Sequence, residues 1–207
     1  MMRVYQFLLS FFFILVFNPF QIVAQTIQKD KRPNVIFIMA DQWRRQALGF
    51  MKEDPEKTPV LDQLAKEGVA FKRAYATRPI CSPNRASLLT GRYPINHKII
   101  MNDMVLADSL ASLGNQFKKA GYQTIYIGKW HLPYDRNKAE THGFSYLSNK
   151  KGNGTDSLLP NYAKYFFELK REKPFLLVMS FMNPHNICQW ARGDNLPDGD
   201  IGNPPSQ

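Results

Sequence analysis

The residues best equipped for chemistry in this 207-residue chain lie in the run Cys81-Ser82-Pro83-Asn84-Arg85, which continues as Ala86-Ser87-Leu88-Leu89-Thr90-Gly91-Arg92. Ser82 is expected to cap a helix whose first position is Pro83, which sets Cys81 just outside the amino terminus. There the unpaired N–H groups and the helix dipole favour an anion, so a nucleophile at position 81 would meet an anionic ester in a stabilising field. Three further groups could serve such a nucleophile: Asp41-Gln42, Gly128-Lys129-Trp130-His131 and Asn183-Pro184-His185. Singly, each has an ordinary structural explanation: Asp41 as a helix cap, Lys129 as a solvated charge, either imidazole as a satisfied surface or core residue. Together they place a carboxylate, an ammonium and two imidazoles at corresponding points of successive units, which packing does not explain.

Those points are the ends of apolar runs. Val35 to Ala40 reads as a central parallel strand buried on both faces, Thr124 to Ile127 as a short strand, and Phe175 to Phe181 as another buried strand. Between them lie helix patterns. One is opened by Thr58-Pro59, carries Val60, Leu61, Leu64 and Ala65 on one face and closes at Gly68. Another carries Leu110, Leu113, Phe117 and Ala120 and stops at Gly121, and a third covers Tyr162 to Lys170 before Pro174. Strands alternating with helices predict an α/β fold, a mostly parallel central sheet with helices on both faces. In such sheets ligands sit beyond the carboxyl ends of the strands, so the three strand ends are expected to line one pocket.

Composition sets wider bounds. With 44% apolar residues the chain can bury one core, and one domain is expected. Lys and Arg outnumber Asp and Glu by 27 to 17, which suits an anionic partner but equally suits solubility. Nucleic acid is not expected, for neither zinc-finger spacing nor a basic heptad region accompanies the charge. Residues 1–24 read as a signal peptide, with Arg3 in the n-region, an apolar run from Phe7 to Phe17, Pro19, and cleavage after Ala24. That run falls short of the ~20 residues that span hydrocarbon, so no membrane span is expected after cleavage. The mature chain, 25–207, is expected to be exported, to the periplasm or medium of a bacterium or into a eukaryotic secretory pathway or lysosome. Export permits a Cys81–Cys188 disulfide.

The segment around Cys81 resembles the sulfatase signature, in which a Cys in the context Cys-x-Pro-x-Arg is oxidised to formylglycine and is followed by Leu-Thr-Gly-Arg. Cys81, Pro83, Arg85, Leu89, Thr90, Gly91 and Arg92 carry the match. In the same order, Asp41 and Gln42 correspond to the family's first metal-binding pair, Gly128 to His131 to its Gly-Lys-Trp-His motif, His142-Gly143-Phe144 to a structural His-Gly-Phe motif, and Pro184-His185 to its Pro-His motif. Cys188 has Arg192 four residues on but Trp190 in place of the proline, so it is not expected to be modified.

The resemblance implies an alkaline-phosphatase-like fold and a sulfuric ester hydrolase. Position 81, as a hydrated aldehyde, would attack sulfur with one hydroxyl and use the second to expel sulfate. A divalent cation, by resemblance Ca2+, would be bound by Asp41, Gln42 and the modified Cys81. Arg85 would fix the modified residue, Lys129 would neutralise sulfate oxygens, and His131 and His185 would be base and acid. The implied partners are a sulfated small molecule or glycan and a formylglycine-generating or sulfatase-maturating enzyme. Gln42 stands where many members carry a second Asp, and the family is more than twice this long, with later metal ligands and a second Lys. The Gly-, Pro- and Asp-rich stretch from Asp194 to Gln207 is therefore expected to stop inside the domain, and the 207-residue piece alone is not expected to turn over. A phosphatase of the same superfamily would carry Ser or Thr at the nucleophile position. A non-catalytic glycan-binding fragment would not need the Cys81 context, and Gly152-Asn153-Gly154 lacks the remainder of a nucleotide-binding motif. Sulfated carbohydrates are the first expectation for substrate, with aryl sulfates and sulfamates as alternatives, and the stretch with Asn186, Gln189, Trp190 and Arg192 could touch a sugar or equally pack as an ordinary loop around Trp190.

Overall fold

The structure, a computed structural model, describes residues 30–107, 109–146 and 156–193. The segment expected to be a signal peptide, the Gly152-Asn153-Gly154 stretch and the residues from Asp194 onward lie outside the described residues.

Four strands form one sheet: β1 (Val35–Asp41), β2 (Gln123–Gly128), β3 (Ser145–Tyr146) and β4 (Phe175–Pro184), in the order β1-β4-β2-β3. Every pairing is parallel, with Val35 opposite Leu176 and Gln123 opposite Phe175. The connecting helices are α1 (Pro59–Glu67), α2 (Cys81–Thr90), α3 (Pro94–His97), α4 (Leu113–Lys119), α5 (Ala139–His142) and α6 (Leu159–Glu168), and α7 (Ile187–Ala191) follows β4. The alternation read from the sequence is therefore the fold, and both faces of the sheet carry helices.

On one face Ala86 and Leu89 of α2 pack with Tyr126, Trp130, Phe144, Leu176 and Val178, flanked by Val35, Phe37 and Met39 of β1 and by Leu113 and Phe117 of α4. On the other, Leu159, Ala163 and Phe166 of α6 cover Ile125, Ile127, Phe175, Leu177 and Met179. Leu177 and Val178 are wholly buried, as neighbours on a strand covered on both sides must be.

β1 departs from the expectation of a central, doubly covered strand. It is an edge of the described sheet, and its burial alternates, with Ile36 and Ile38 exposed at 48% and 59%. The reason is that α6 lies over β2 and β4, so the α6 side of β1 has no cover among the described residues. The apolar face of α1 is open in the same way, for Val60, Leu61 and Leu64 are exposed. Other boundaries shift by a few residues. Ser112, not an earlier residue, caps α4 by accepting from the Asn115 N–H at 3.2 Å, which leaves Leu110 before the helix, and α6 begins at Leu159 rather than Tyr162.

Candidate active site

The sheet order explains how distant residues meet. β4 lies between β1 and β2, so Asp41 at the end of β1, Lys129 just past β2 and His185 just past β4 occupy adjacent carboxyl ends. β2 and β4 approach so closely there that the Lys129 N–H donates to the Ser180 carbonyl at 2.7 Å. Only glycine fits before it: Gly128 has φ +95°, and an added Cβ would lie 2.0 Å from that same oxygen.

The expected cap is not formed. α2 begins at Cys81 itself, with Ile80 as its extended N-cap residue. The Ser82 hydroxyl instead donates to the His131 carbonyl at 3.1 Å, and the Ser82 N–H is taken by Oδ1 of Asn102 at 3.0 Å. The end of α2 is thus tied to the loop after β2 and to a residue 20 positions on, and Asn102 does the work expected of the Ser82 side chain. Because that N–H is engaged and Pro83 has none, neither the second nor the third position of α2 offers a free N–H to an anion at position 81, and the positive charge beside it lies on the Lys129 and Arg85 side chains.

Those side chains are buried. Lys129 Nζ is ion-paired with Asp41 Oδ2, and Arg85 Nη2 lies 3.3 Å from the same oxygen. Arg85 Nη1 donates to Ser180 Oγ at 2.8 Å, to the Lys129 carbonyl at 3.1 Å and to Tyr126 Oη at 3.2 Å. The Tyr126 hydroxyl donates in turn to the Lys129 carbonyl at 2.8 Å. Cys81 Sγ lies 3.8 Å from Asp41 Oδ1 and 3.9 Å from Lys129 Nζ. Burial works against ionisation of Asp41, but its bond to Lys129 and the Lys129 and Arg85 charges hold the carboxyl below its ordinary range. One carboxylate is therefore shared by two cations, and this contact group carries a net charge of +1 (two positive, one negative).

Both imidazoles stand in this field. Burial lowers the His131 pKa, and Lys129 and Arg85 lower it further; burial followed by Lys129 lowers that of His185. His185 Nδ1 is buried with no hydrogen-bond partner among the described residues. His142 is different: its Nδ1 accepts from the Phe144 N–H at 3.1 Å and its Nε2 faces the Arg136 carbonyl at 3.2 Å, beneath Trp130. It is a structural histidine, as its motif implied. Cys81 and Cys188 are free thiols, not the disulfide that export would permit.

Asp41 and Gln42 would point to opposite faces of a regular strand. Here the register shifts between Ala40 and Asp41, and Gln42 adopts φ 64°, so both line one cleft of about 600 Å³ together with Cys81, Asn84 and Arg85. Among the described residues, no group of three or more His, Cys, Asp and Glu side chains could hold a metal ion. What the cleft offers is a hard-oxygen pair: Asp41 Oδ2 faces the two cationic side chains while Oδ1 faces position 81, and Gln42 adds an amide oxygen. This donor chemistry fits calcium and supplies two of the roughly 6–8 oxygens that it takes.

Sequence reasoning found Asp41, Gln42, Cys81, Arg85, Lys129, His131 and His185, and the first five line one cleft or touch within it. It missed Asn102, Tyr126 and Ser180. A signal existed for Ser180, a hydroxyl in the otherwise apolar buried run Phe175 to Met182.

A thiol at a helix start is thus set against a buried Asp–Lys–Arg cluster at the carboxyl edge of a parallel α/β sheet. The chain belongs to the sulfatase family, whose model, named Sulfatase, matches residues 33–198. It is 37% identical over 182 residues to an ulvan-active sulfatase of Formosa agariphila, covering 74% of this chain and 36% of that one. It is 34% identical over 176 residues to an arylsulfatase of Clostridium perfringens, covering 80% and 37%. A solved complex of a protein with its substrate D-glucosamine-2-N,6-O-disulfate shares 27% identity and a TM-score of 0.64, over 75% of this chain and 35% of that one. The chain thus spans about a third of the length of the curated relatives it matches.

Proposed function

We propose that the whole protein is an exported sulfatase that hydrolyses sulfate esters of carbohydrates through a formylglycine made from Cys81. The observation that carries this is the +1 charge of the Asp41–Lys129–Arg85 group against position 81, which a sulfate monoester would balance. The sugar ligand of the solved relative and the N-acetylglucosamine-6-O-sulfatase of Bacteroides thetaiotaomicron, 28% identical over 181 residues, favour a carbohydrate. Export rests on the amino-terminal segment.

One hydroxyl of the hydrated aldehyde at position 81 gives its proton to solvent and attacks sulfur as an oxyanion, the bond from sulfur to the sugar oxygen breaks, and His185 in its imidazolium form gives that oxygen its proton. His131 then takes the proton of the second hydroxyl, whose electrons re-form the C=O bond as sulfate departs from the carbon. Burial favours the neutral imidazole at both positions, which suits His131 to the base role and leaves His185 to act through its smaller imidazolium fraction. Lys129 neutralises sulfate oxygens, and Arg85, locked by Ser180, Tyr126 and Asp41, holds the end of α2 in place. Asp41 Oδ1 and the Gln42 amide oxygen would help hold a calcium ion, which when bound supplies Lewis-acid stabilisation of a sulfate oxygen.

The test is co-expression of the whole protein with a sulfatase-maturating enzyme, peptide mass spectrometry at Cys81 and a panel of sulfated sugars. Formylglycine at position 81 with sulfate release absent from Cys81→Ala is the expected result. An unmodified thiol under those conditions, or equal release by the variant, would sink the reading.

A further inference from the structure

The mechanism leaves Cys188 without a task. It is half-buried on α7, and its Sγ accepts a hydrogen bond from Gln42 Nε2 at 3.0 Å, across 146 positions of chain. Gln42 is also one of the few non-glycine residues with positive φ, a constrained backbone that fixes where its side chain starts.

A carboxamide has two ends of nearly the same shape and opposite chemistry. Its oxygen can ligate a hard cation, while its NH2 only donates and would repel one. The terminal torsion of Gln is broad, so the backbone alone does not choose between the ends. An Asp at this position would present two equivalent oxygens and need no such choice. A Gln needs an acceptor that draws the nitrogen away.

We propose that Cys188 is a positioning residue that takes the Gln42 N–H on its sulfur and so turns Oε1 toward the divalent cation. The inference rests on the reading above that Gln42 is a cation ligand. Sulfur is a weak acceptor, but it has only to tip a choice between two rotations. Its placement is tied to the catalytic turn, since the Cys188 N–H donates to the His185 carbonyl at 3.1 Å. One turn after β4 would then carry both the proton donor and the anchor of the amide.

Calcium titration calorimetry on the whole protein tests this without an activity readout. Cys188→Ala should weaken calcium binding about tenfold, the lower end of what outer partners of metal ligands contribute. Cys188→Ser, whose hydroxyl also accepts an N–H, should stay within about threefold of the unsubstituted protein. In a Gln42→Asp background, Cys188→Ala should change affinity by less than about twofold, because a carboxylate has no nitrogen to turn away. Equal losses in both backgrounds, no loss in either, or a Ser variant as weak as the Ala variant would overturn the proposal. Asp41→Ala and Gln42→Ala keep the two readings apart. Unchanged affinity in both overturns the calcium site itself, whereas weakened binding there with none in Cys188→Ala overturns the role of Cys188 alone.

Discussion

Gly128 lies outside the chemistry, yet Gly128→Ala should disable it. The new Cβ would sit 2.0 Å from the Ser180 carbonyl oxygen and 2.9 Å from its carbon, both backbone atoms that cannot rotate aside. Non-bonded heavy atoms rest about 3.5 Å apart, so the ends of β2 and β4 would have to part by roughly 1.5 Å. Overpacking of this kind costs about 1–3 kcal/mol, and holding a non-glycine residue at positive φ adds roughly 1–2 kcal/mol. The displacement falls on the site, because Lys129 is the next residue and Ser180 holds Arg85 through its hydroxyl. A misplacement of about 1 Å can cost about 100-fold, so kcat/KM on an aryl sulfate should drop by about that factor or more. The assay is hydrolysis per mole of formylglycine, counted by mass spectrometry, with circular dichroism and a denaturant midpoint on the same samples. Activity within about threefold of the unsubstituted protein at an unchanged midpoint would refute the argument, since less than 1 kcal/mol would then separate the two barriers.

Three other outcomes follow from the same contacts. Arg85→Lys replaces a fork serving four acceptors with a point charge and should lower unfolding free energy by about 1–3 kcal/mol, while Tyr126→Phe, which removes one donor, should cost about 1 kcal/mol; equal midpoints for the two variants would contradict this. All four histidines have pKa values lowered first by burial, so the unfolded chain binds more protons near its ordinary value of about 6.5. Stability should therefore be full above that pH and fall as it drops toward pH 5, with the Asp41 contribution lost only at lower pH still; thermal midpoints flat from pH 8 to 5 would be inconsistent. If His185 protonates the leaving oxygen, His185→Ala should harm substrates with basic alcohols far more than a nitrophenyl sulfate, and an equal loss across leaving groups would reassign the residue.

Asp41, Lys129 and His185 were legible as candidates because each follows an apolar run, and a parallel sheet brings such termini to one edge. Asp41, Lys129 and Cys81 needed no more than that and the Cys81-to-Arg92 match. What the runs do not encode is which strand is flanked by which. The segment from Val35 to Ala40 is as apolar as Phe175 to Phe181, yet only the second is covered on both faces, because cover depends on where α6 lies. The Ser82 cap failed for a related reason. A local rule offered Ser82 to its own helix, but His131 and Asn102, distant in sequence, offered geometry that satisfied both partners. The contact of Gln42 with Cys188 has no local signature at all.

The pairing of β1 with β4 also fixes when the site can exist. Val35 and Leu176 are 141 positions apart, a separation that makes this contact one of high sequence order and slow to close. As the chain emerges from its amino terminus, Asp41 and Cys81 appear early, but Ser180, which locks Arg85, is made a hundred residues after Cys81. Until then α2, which starts at Cys81, lacks the strand residue that anchors its Arg85. The site is therefore complete only once β4 has inserted between β1 and β2.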